Sequence, residues 1–372
     1  MASQAPFQSE LRRRIEGEVR FDAGSLALYS TDASNYRRVP VGVVVPRHEG
    51  DVAAALAIGR ENAIPVLARG GGTGLAGQTC NTALVLDFSK YMNAIRSIDP
   101  DRRLAIVEPG VVQAQLNAAV ARYGMFFAPD PATKDRCTLG GMIGNNSCGA
   151  HSAAYGKTAD NLAAIEVMLY DGTHLSLRAI DEAALESSIA HGGREGQLMA
   201  RLRETRARYG DLIRQRYPKI PRRVSGYNLD QLLPEAGFNL AGAVAGSEGT
   251  LAVTLNATVK LVPRPLERCL AVLGFDDVFL AADQTAWLLE HRPQALKGFD
   301  HHLIDFARAK GAQADAMRLM PPGRAFLIVE LAGQSRNELE ERASSLLKQA
   351  RAIPECTGVA MVAGPAAQQA VW

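Results

Sequence analysis

Apolar and polar positions change their spacing several times along the chain. Residues 8–20 carry apolar positions at helical spacing, and 41–45 is a β-branched run that stops at Pro46. An alanine-rich helical pattern over 51–62 starts at Gly50-Asp51, with Asp51 placed to cap the free N–H groups. Apolar runs at 64–68, 83–88 and 104–108 predict strands, and 113–123 predicts a helix stopped by Gly124. The runs 165–170 and 174–177 flank Asp171-Gly172 and predict a β-hairpin. A charged helical stretch follows over 181–216, and 238–262 returns to strand-rich sequence. Pro263-Arg264-Pro265 interrupts the pattern. Beyond it, strands at 270–275 and 325–331 alternate with helices at 281–291 and 337–352.

This order predicts an α+β fold. A first domain covers residues 1–265, with subdomains at about 20–95 and 96–265, and a second α+β domain covers 266–372. Two stretches escape the periodicity. Residues 129–158 are dense in Gly, Pro, Asn and Ser, and a loop of that length inside a compact domain predicts function. The other is Ala68-Arg69-Gly70-Gly71-Gly72-Thr73-Gly74-Leu75-Ala76-Gly77-Gln78, with five glycines in the eight positions 70–77. Such a run lets the backbone approach a ligand closely, and its successive N–H groups form a nest for phosphate oxygens.

Gly72 to Gly77 also spells G-x-G-x-x-G, the dinucleotide fingerprint. That version needs a helix after the glycines, yet only 78–82 separate Gly77 from the next strand, so no helix is expected. No Lys-Ser or Lys-Thr follows, which excludes a P-loop. What remains is a diphosphate loop between two strands, using backbone N–H groups with Arg69 and Thr73.

A net charge of +2 gives no whole-molecule field of the kind a dedicated nucleic-acid protein shows. Residues 201–223 hold nine Arg or Lys against two acids, which reads as the solvated face of surface helices rather than an anion site. The first twenty residues lack an apolar signal core, and no run of roughly 18 apolar residues occurs, so a soluble cytoplasmic protein is expected. The five cysteines have no C-x-x-C spacing, which predicts reduced, mostly buried thiols and no zinc or iron–sulfur site. Adjacent His301 and His302 should point about 100° apart on a helix, which argues against joint metal binding.

The glycine run resembles the diphosphate loop of FAD-linked oxidases with the para-cresol-methylhydroxylase-type (vanillyl-alcohol-oxidase-like) FAD domain. Three further segments match that family in order: Asp130-Pro131-Ala132-Thr133 leading into Leu139 to Gly149, then Tyr155-Gly156-Lys157-Thr158, then Gly246-Ser247-Glu248-Gly249-Thr250-Leu251. The resemblance covers about 20–265 strongly and 268–372 loosely. It implies non-covalent FAD, held by Arg69, Gly70, Gly71, Gly72, Thr73, Gly74, Leu75, Gly77 and Gln78 around the diphosphate. Pro131, Thr138, Gly140, Gly141, Gly144, Asn145, Asn146, Ser147, Gly149, Tyr155 and Gly156 would approach the flavin ring, and Glu248 and Gly249 would reach a ribose or cap a turn. His151 lacks a motif that assigns it a covalent tether.

In wording the segments are most similar to the D-2-hydroxyacid dehydrogenases of that family, of the D-2-hydroxyglutarate, D-lactate and glycolate type. The resemblance implies oxidation of a D-2-hydroxy acid to a 2-oxo acid, with an electron acceptor that the sequence leaves open. The family places its substrate arginine in a W-x-x-R element, and Ala370-Val371-Trp372 resembles the opening of that element. The chain is therefore expected to be a fragment with an incomplete substrate (cap) domain and no assigned catalytic residue. An iron–sulfur domain would lie downstream or on a partner chain. Two other readings stay open: a flavin-binding subunit or scaffold without its own chemistry, and a sugar or aldonolactone oxidase of the same fold.

Overall fold

A computed structural model describes residues 5–311 and 317–372. The fold is α+β, and the chain packs into two compact units, Met1–Cys148 with Lys157–Val262, and Gly149–Gly156 with Pro263–Trp372.

In the first unit, β1 (Glu18–Arg20), β2 (Gly42–Val45), β3 (Val66–Arg69) and β4 (Leu84–Asp87) form a sheet in the order β1-β2-β4-β3. β2 and β3 run parallel to β4, and β1 is antiparallel to β2. β2 and β4 are buried at every position, as strands covered on both faces require. Val44, Leu84 and Leu86 pack with Leu56 and Ile58 of the helix Glu49–Glu61, and Val43, Val45 and Val85 pack with Tyr29.

Two local expectations change here. The first helix, Ala5–Arg14, stops short of residue 20, and Glu18–Arg20 becomes an edge strand instead. A Cβ at Gly17 would lie 2.1 Å from the Val45 carbonyl oxygen, so the chain must leave the helix to run beside β2. Asp51 does not cap its helix. His48 does, its Nδ1 accepting from the Asp51 N–H at 3.3 Å. The Asp51 carboxylate is buried and accepts from the N–H groups of Glu16, Gly17 and Arg47 at 2.8–2.9 Å, tying β1 and β2 to the helix.

The connection from β3 to β4 explains where the glycine run sits. The strands are adjacent and parallel, so the chain must cross over between them, a task helices usually perform. Residues 70–83 do it without any helix. The expected absence of a helix holds, and the glycine loop is itself the crossover.

A second sheet in this unit has the order β5-β6-β10-β8-β9, made of β5 (Ile95–Asp99), β6 (Leu104–Val107), β8 (Leu162–Met168), β9 (His174–Arg178) and β10 (Val253–Lys260). All its pairings are antiparallel. β7 (Met125–Phe126) follows the helix Gln113–Val120 and a short helical turn that Gly124 ends in the left-handed conformation. The predicted hairpin is β8–β9, with Gly172 at φ +89°. Residues 129–158 are not all loop: they contain the short helices Leu139–Asn145 and Ser152–Tyr155. The charged stretch forms the helices Glu182–His191 and Gly193–Arg216, with Arg203 paired to Glu186, Arg206 to Glu182 and Arg214 to Glu235.

β11 (Val262–Pro263) leads out of this unit. In the second unit, β12 (Glu267–Phe275), β13 (Ala295–Asp300), β14 (Ala325–Gly333) and β15 (Cys356–Val362) form an antiparallel sheet in the order β13-β14-β12-β15. One face packs the helix Arg336–Ala350 against Leu273, Leu327, Val329 and Leu331. Leu270, Phe326, Ile328 and Val362 line the other face, with Phe299 and Trp372 packed against them. The single helix predicted at 281–291 is two, Val278–Asp283 and Thr285–Glu290, the first capped by the Asp277 carboxylate. His301 and His302 are not splayed: their rings lie 4.1 Å apart, one beside Arg324 and the other beside Asp300.

Candidate cofactor site

A cavity of about 350 Å³ opens in the first unit where the glycine loop meets the strip 131–148 and the turn 247–249. Hydrogen bonds to main-chain carbonyls set the strip. The Gln113 side chain donates to the carbonyl of Pro129 at 3.0 Å, Leu139 N–H reaches Val111 O at 2.8 Å, and Gly140 N–H reaches Pro109 O at 2.8 Å. Thr138 caps the helix Leu139–Asn145, its Oγ1 accepting from Gly141 N–H at 3.4 Å. The turn docks on that helix: Gly246 N–H donates to Ile143 O and Glu248 N–H to Gly144 O, at 2.8 and 2.9 Å.

The glycines meet two different demands. A Cβ at Gly70 would stand 2.0 Å from Thr138 Oγ1, and one at Gly71 would stand 2.3 Å from the Arg136 carbonyl oxygen. Loop and strip therefore pack with no room for a side chain between them. Gly144, by contrast, has nothing within 4 Å of where a Cβ would project. Cavity volumes of a few hundred Å³ lined by apolar groups and backbone are those of cofactor sites. The nest, the close packing behind it and the open wall at Gly144 fit the diphosphate and ring of FAD.

Most of the expected residues come together here. Arg69, Gly70, Gly71, Gly72, Thr73, Gly74, Leu75 and Gln78 line the cavity from one side. Pro131, Thr138, Gly140, Gly141, Gly144, Asn145 and Ser147 line it from another, and Glu248 and Gly249 close it. Gln78 bridges two of these walls, its Nε2 donating to Glu248 Oε1 at 3.3 Å. Glu248 holds φ +52°, a strained value for a non-glycine residue, directly on the cavity rim.

Arg69 does more than line the wall. Its guanidinium donates to the carbonyls of Thr31 at 2.8 Å, Thr79 at 3.2 Å and Tyr29 at 3.3 Å, and lies 5.3 Å from the Tyr29 ring. It clips both ends of the loop to the sheet. Tyr29 in turn donates to Asp87, and burial and that carboxylate push its hydroxyl well above the usual range.

Five expected residues stand elsewhere. Gly77, at φ +80°, packs on the Tyr36 ring and lines a neighbouring cavity of about 600 Å³ that shares Gln78, Glu248 and Gly249 with the first. Asn146 is fully buried behind the wall, with Oδ1 accepting from Ala159 N–H at 3.0 Å and Nδ2 left without a partner among the described residues. Gly149, Tyr155 and Gly156 belong to the second unit. Tyr155 is half-buried there, and burial and the Glu330 charge raise its hydroxyl. The excursion is closed at its base within the first unit, where Thr158 donates to Ser147 O through both N–H and Oγ1, at 2.9 and 2.7 Å.

Phe88, Pro109, Val244 and Thr254 also line the cavity, and no motif in the sequence marks them. They come from ordinary strands and helices and their ends, whose apolar periodicity says that a residue is inside without saying what it faces. Cys137 and Cys148 are on the wall too, Cys137 buried and Cys148 half-buried at 3.4 Å from Arg222, while Cys80 and Cys269 are buried elsewhere. Burial raises the thiols of Cys80, Cys137 and Cys269, the last to about 11. No helix among the described residues is long and apolar enough to cross a membrane.

Residues 40–178 match the family model described as FAD binding domain. A D-2-hydroxyglutarate dehydrogenase of Pseudomonas putida is 33% identical over 311 residues, which are 82% of this chain and 31% of that protein. The glycolate oxidase subunit GlcD of Bacillus subtilis is 32% identical over 72% of this chain and 47% of its own length. The chain thus spans about a third to a half of the length of these relatives. The solved structure of p-cresol methylhydroxylase with substrate bound shares the fold, with a TM-score of 0.63 at 14% identity over 96% of this chain and 65% of that one. The glycine crossover, the ordered cavity segments and these likenesses agree: residues 40–178 are an FAD binding domain, in a chain similar to D-2-hydroxyglutarate dehydrogenases and the glycolate oxidase subunit GlcD that shares the fold of p-cresol methylhydroxylase.

Proposed function

We propose that the chain is the flavin-binding part of an enzyme that oxidises a D-2-hydroxy acid, of the D-2-hydroxyglutarate or D-lactate type, to a 2-oxo acid. The observation that carries this is the convergence of 69–78, 131–148 and 247–249 on one cavity, in a chain whose relatives are named D-2-hydroxyglutarate dehydrogenase and glycolate oxidase subunit. FAD, when bound, supplies the acceptor for the hydride that leaves the substrate's Cα.

The chain's own residues supply the rest of the site. Backbone N–H groups of 70–74 would hold the diphosphate, with Arg69 keeping the loop in shape rather than serving as the principal counter-charge. Gly140, Gly141 and Gly144 would let the strip approach a flavin ring, and Asn145 and Ser147 would offer it polar groups. Gln78 and Glu248 form the polar rim towards the second cavity, where a ribose would be recognised through its hydroxyls. A basic residue for the substrate hydroxyl, a cation for its carboxylate and the electron acceptor remain to be supplied by the whole protein or a partner, including an iron–sulfur domain. The domain division at 265 belongs to the same proposal, with residues 266–372 as part of the substrate side.

Mixing the purified chain with FAD should give a yellow protein with close to one flavin per chain. Anaerobic addition of D-2-hydroxyglutarate, D-lactate or glycolate to the FAD-loaded full-length polypeptide should bleach the flavin absorbance. A chain that stays colourless would remove the cofactor assignment. A full-length protein whose flavin is bleached by sugars or aldonolactones, but by none of the hydroxy acids, would replace the substrate class.

A further inference from the structure

Glu330 stands in the middle of β14, opposite Leu270 and Ala295, on the same face as Phe326 and Ile328. It is 3% exposed, a carboxylate on a largely apolar face that also carries Lys297 and Arg268. Burying such a group costs several kcal/mol unless it is paired, and even a paired one seldom adds stability over an apolar residue of similar size. Its partner is His151, whose Nε2 lies 3.2 Å from Glu330 Oε1. Arg268 is more distant, at 3.8 Å, and largely exposed.

The surroundings do not look optimised for stability. Gln294 gives its N–H to the Glu330 carbonyl at 2.7 Å, yet its buried Oε1 has no partner among the described residues. A partly satisfied polar cluster is a cost, so another demand keeps it. The His151 ring lies 5.6 Å from the Trp372 ring, and Lys297 Nζ covers the Trp372 ring at 3.6 Å.

We infer that Glu330 is the positioning residue for His151, holding the imidazole with its Nε2 proton on the carboxylate and so fixing the segment that continues the cavity-lining loop. An ionised carboxylate only accepts hydrogen bonds, so a carboxylate at this contact selects the tautomer with the proton on Nε2. His151 follows the cavity-lining Cys148 by three residues in the chain. The groups that face His151 are Glu330 on β14, Arg268 on β12, Lys297 on β13, Tyr155 on its own short helix and Trp372.

The test uses the FAD-loaded chain and its E330Q, R268Q and H151N variants. Histidine NMR titration, with H151N identifying the resonance, should show the His151 midpoint falling by about one pH unit in E330Q. In R268Q, which alters an exposed side chain and should fold, the midpoint should rise. Midpoints unchanged in both would overturn the proposal, and R268Q alone decides if E330Q does not fold. If no hydroxy acid reduces the flavin, the functional reading fails while the NMR result still decides the role of Glu330.

Discussion

In the first unit the cavity is walled largely by main chain. There is no room for a Cβ at Gly70 or Gly71, and the nearby charge of Arg69 is engaged by three carbonyls. The polar cluster of the second unit is built the other way, from side chains of Tyr155, His151, Gln294 and Glu330 set into an apolar sheet face. A backbone-built site resists any added atom and tolerates changes of charge. A side-chain-built cluster tolerates apolar replacement and depends on charge for its use.

The strongest way to break that contrast is Gly71→Ala. Its Cβ would meet the Arg136 carbonyl, which cannot rotate aside, so FAD retention should be lost with destabilisation of about 2–3 kcal/mol, read by flavin absorbance and urea unfolding. Normal FAD content in that variant would show the loop to be far more compliant than its packing implies. The opposite sign is expected in the second unit. Replacing Glu330 and His151 together by Leu and Phe should leave unfolding free energy unchanged or raise it by about 1–4 kcal/mol. A loss of similar size would mean the pair is there for stability.

Arg69→Lys sharpens the first half of the comparison. An ammonium cannot reach three carbonyls in the geometry of a guanidinium, so a loss of about 1–3 kcal/mol is expected, with FAD affinity weakened but not abolished. A variant that binds FAD as tightly as the parent would mean that the loop keeps its shape without the clip.

Glu18 offers a smaller, pH-dependent test of charge in the first unit. Hydrogen bonds from Lys90, Tyr91 and Arg20 lower its carboxyl from 4.5 to about 2. A lowered carboxyl contributes stability above its unfolded value, so this contribution should be full at neutral pH and disappear as pH falls from about 4.5 to about 2. Glu18→Gln should flatten that limb of the stability curve, and solvent screening keeps the effect modest. The smallest expected effect is on thiol reactivity. Cys148 is half-buried on the cavity wall while Cys137, on the same wall, and Cys269 are buried, so a maleimide should label Cys148 before either, and FAD should slow that labelling. Equal labelling with and without FAD would place the cofactor away from this wall.

The contrast also separates what could be read from the sequence. The glycine run, the Asp171-Gly172 hairpin and the helix stop at Gly124 were legible because each residue answers a local backbone demand. The cavity residues of 69–78 and 139–147 were legible for the same reason. Asp51 misled because an acid near a helix start is a capping signal, whereas here its carboxylate gathers N–H groups from Glu16, Gly17 and Arg47. His151 and Glu330 are 179 positions apart, and nothing local marks a carboxylate in β14 as the partner of an imidazole beyond the glycine strip. Asn146 fits its motif, yet it supports the wall from behind rather than lining it.

The place of β10 in the second sheet bears on when the cofactor can be acquired. Val253–Lys260 lies between β6, near residue 104, and β8, near residue 162, and the turn just before it closes the cavity over Ile143 and Gly144. During synthesis the glycine loop and the strip emerge long before that strand, with β6 and β8 exposing unpaired edges meanwhile. Pairings this remote in sequence form slowly, and open edges are exposed to misassembly. The cavity is therefore complete only once Lys260 has left the ribosome, and flavin capture is a late event in the life of the nascent chain.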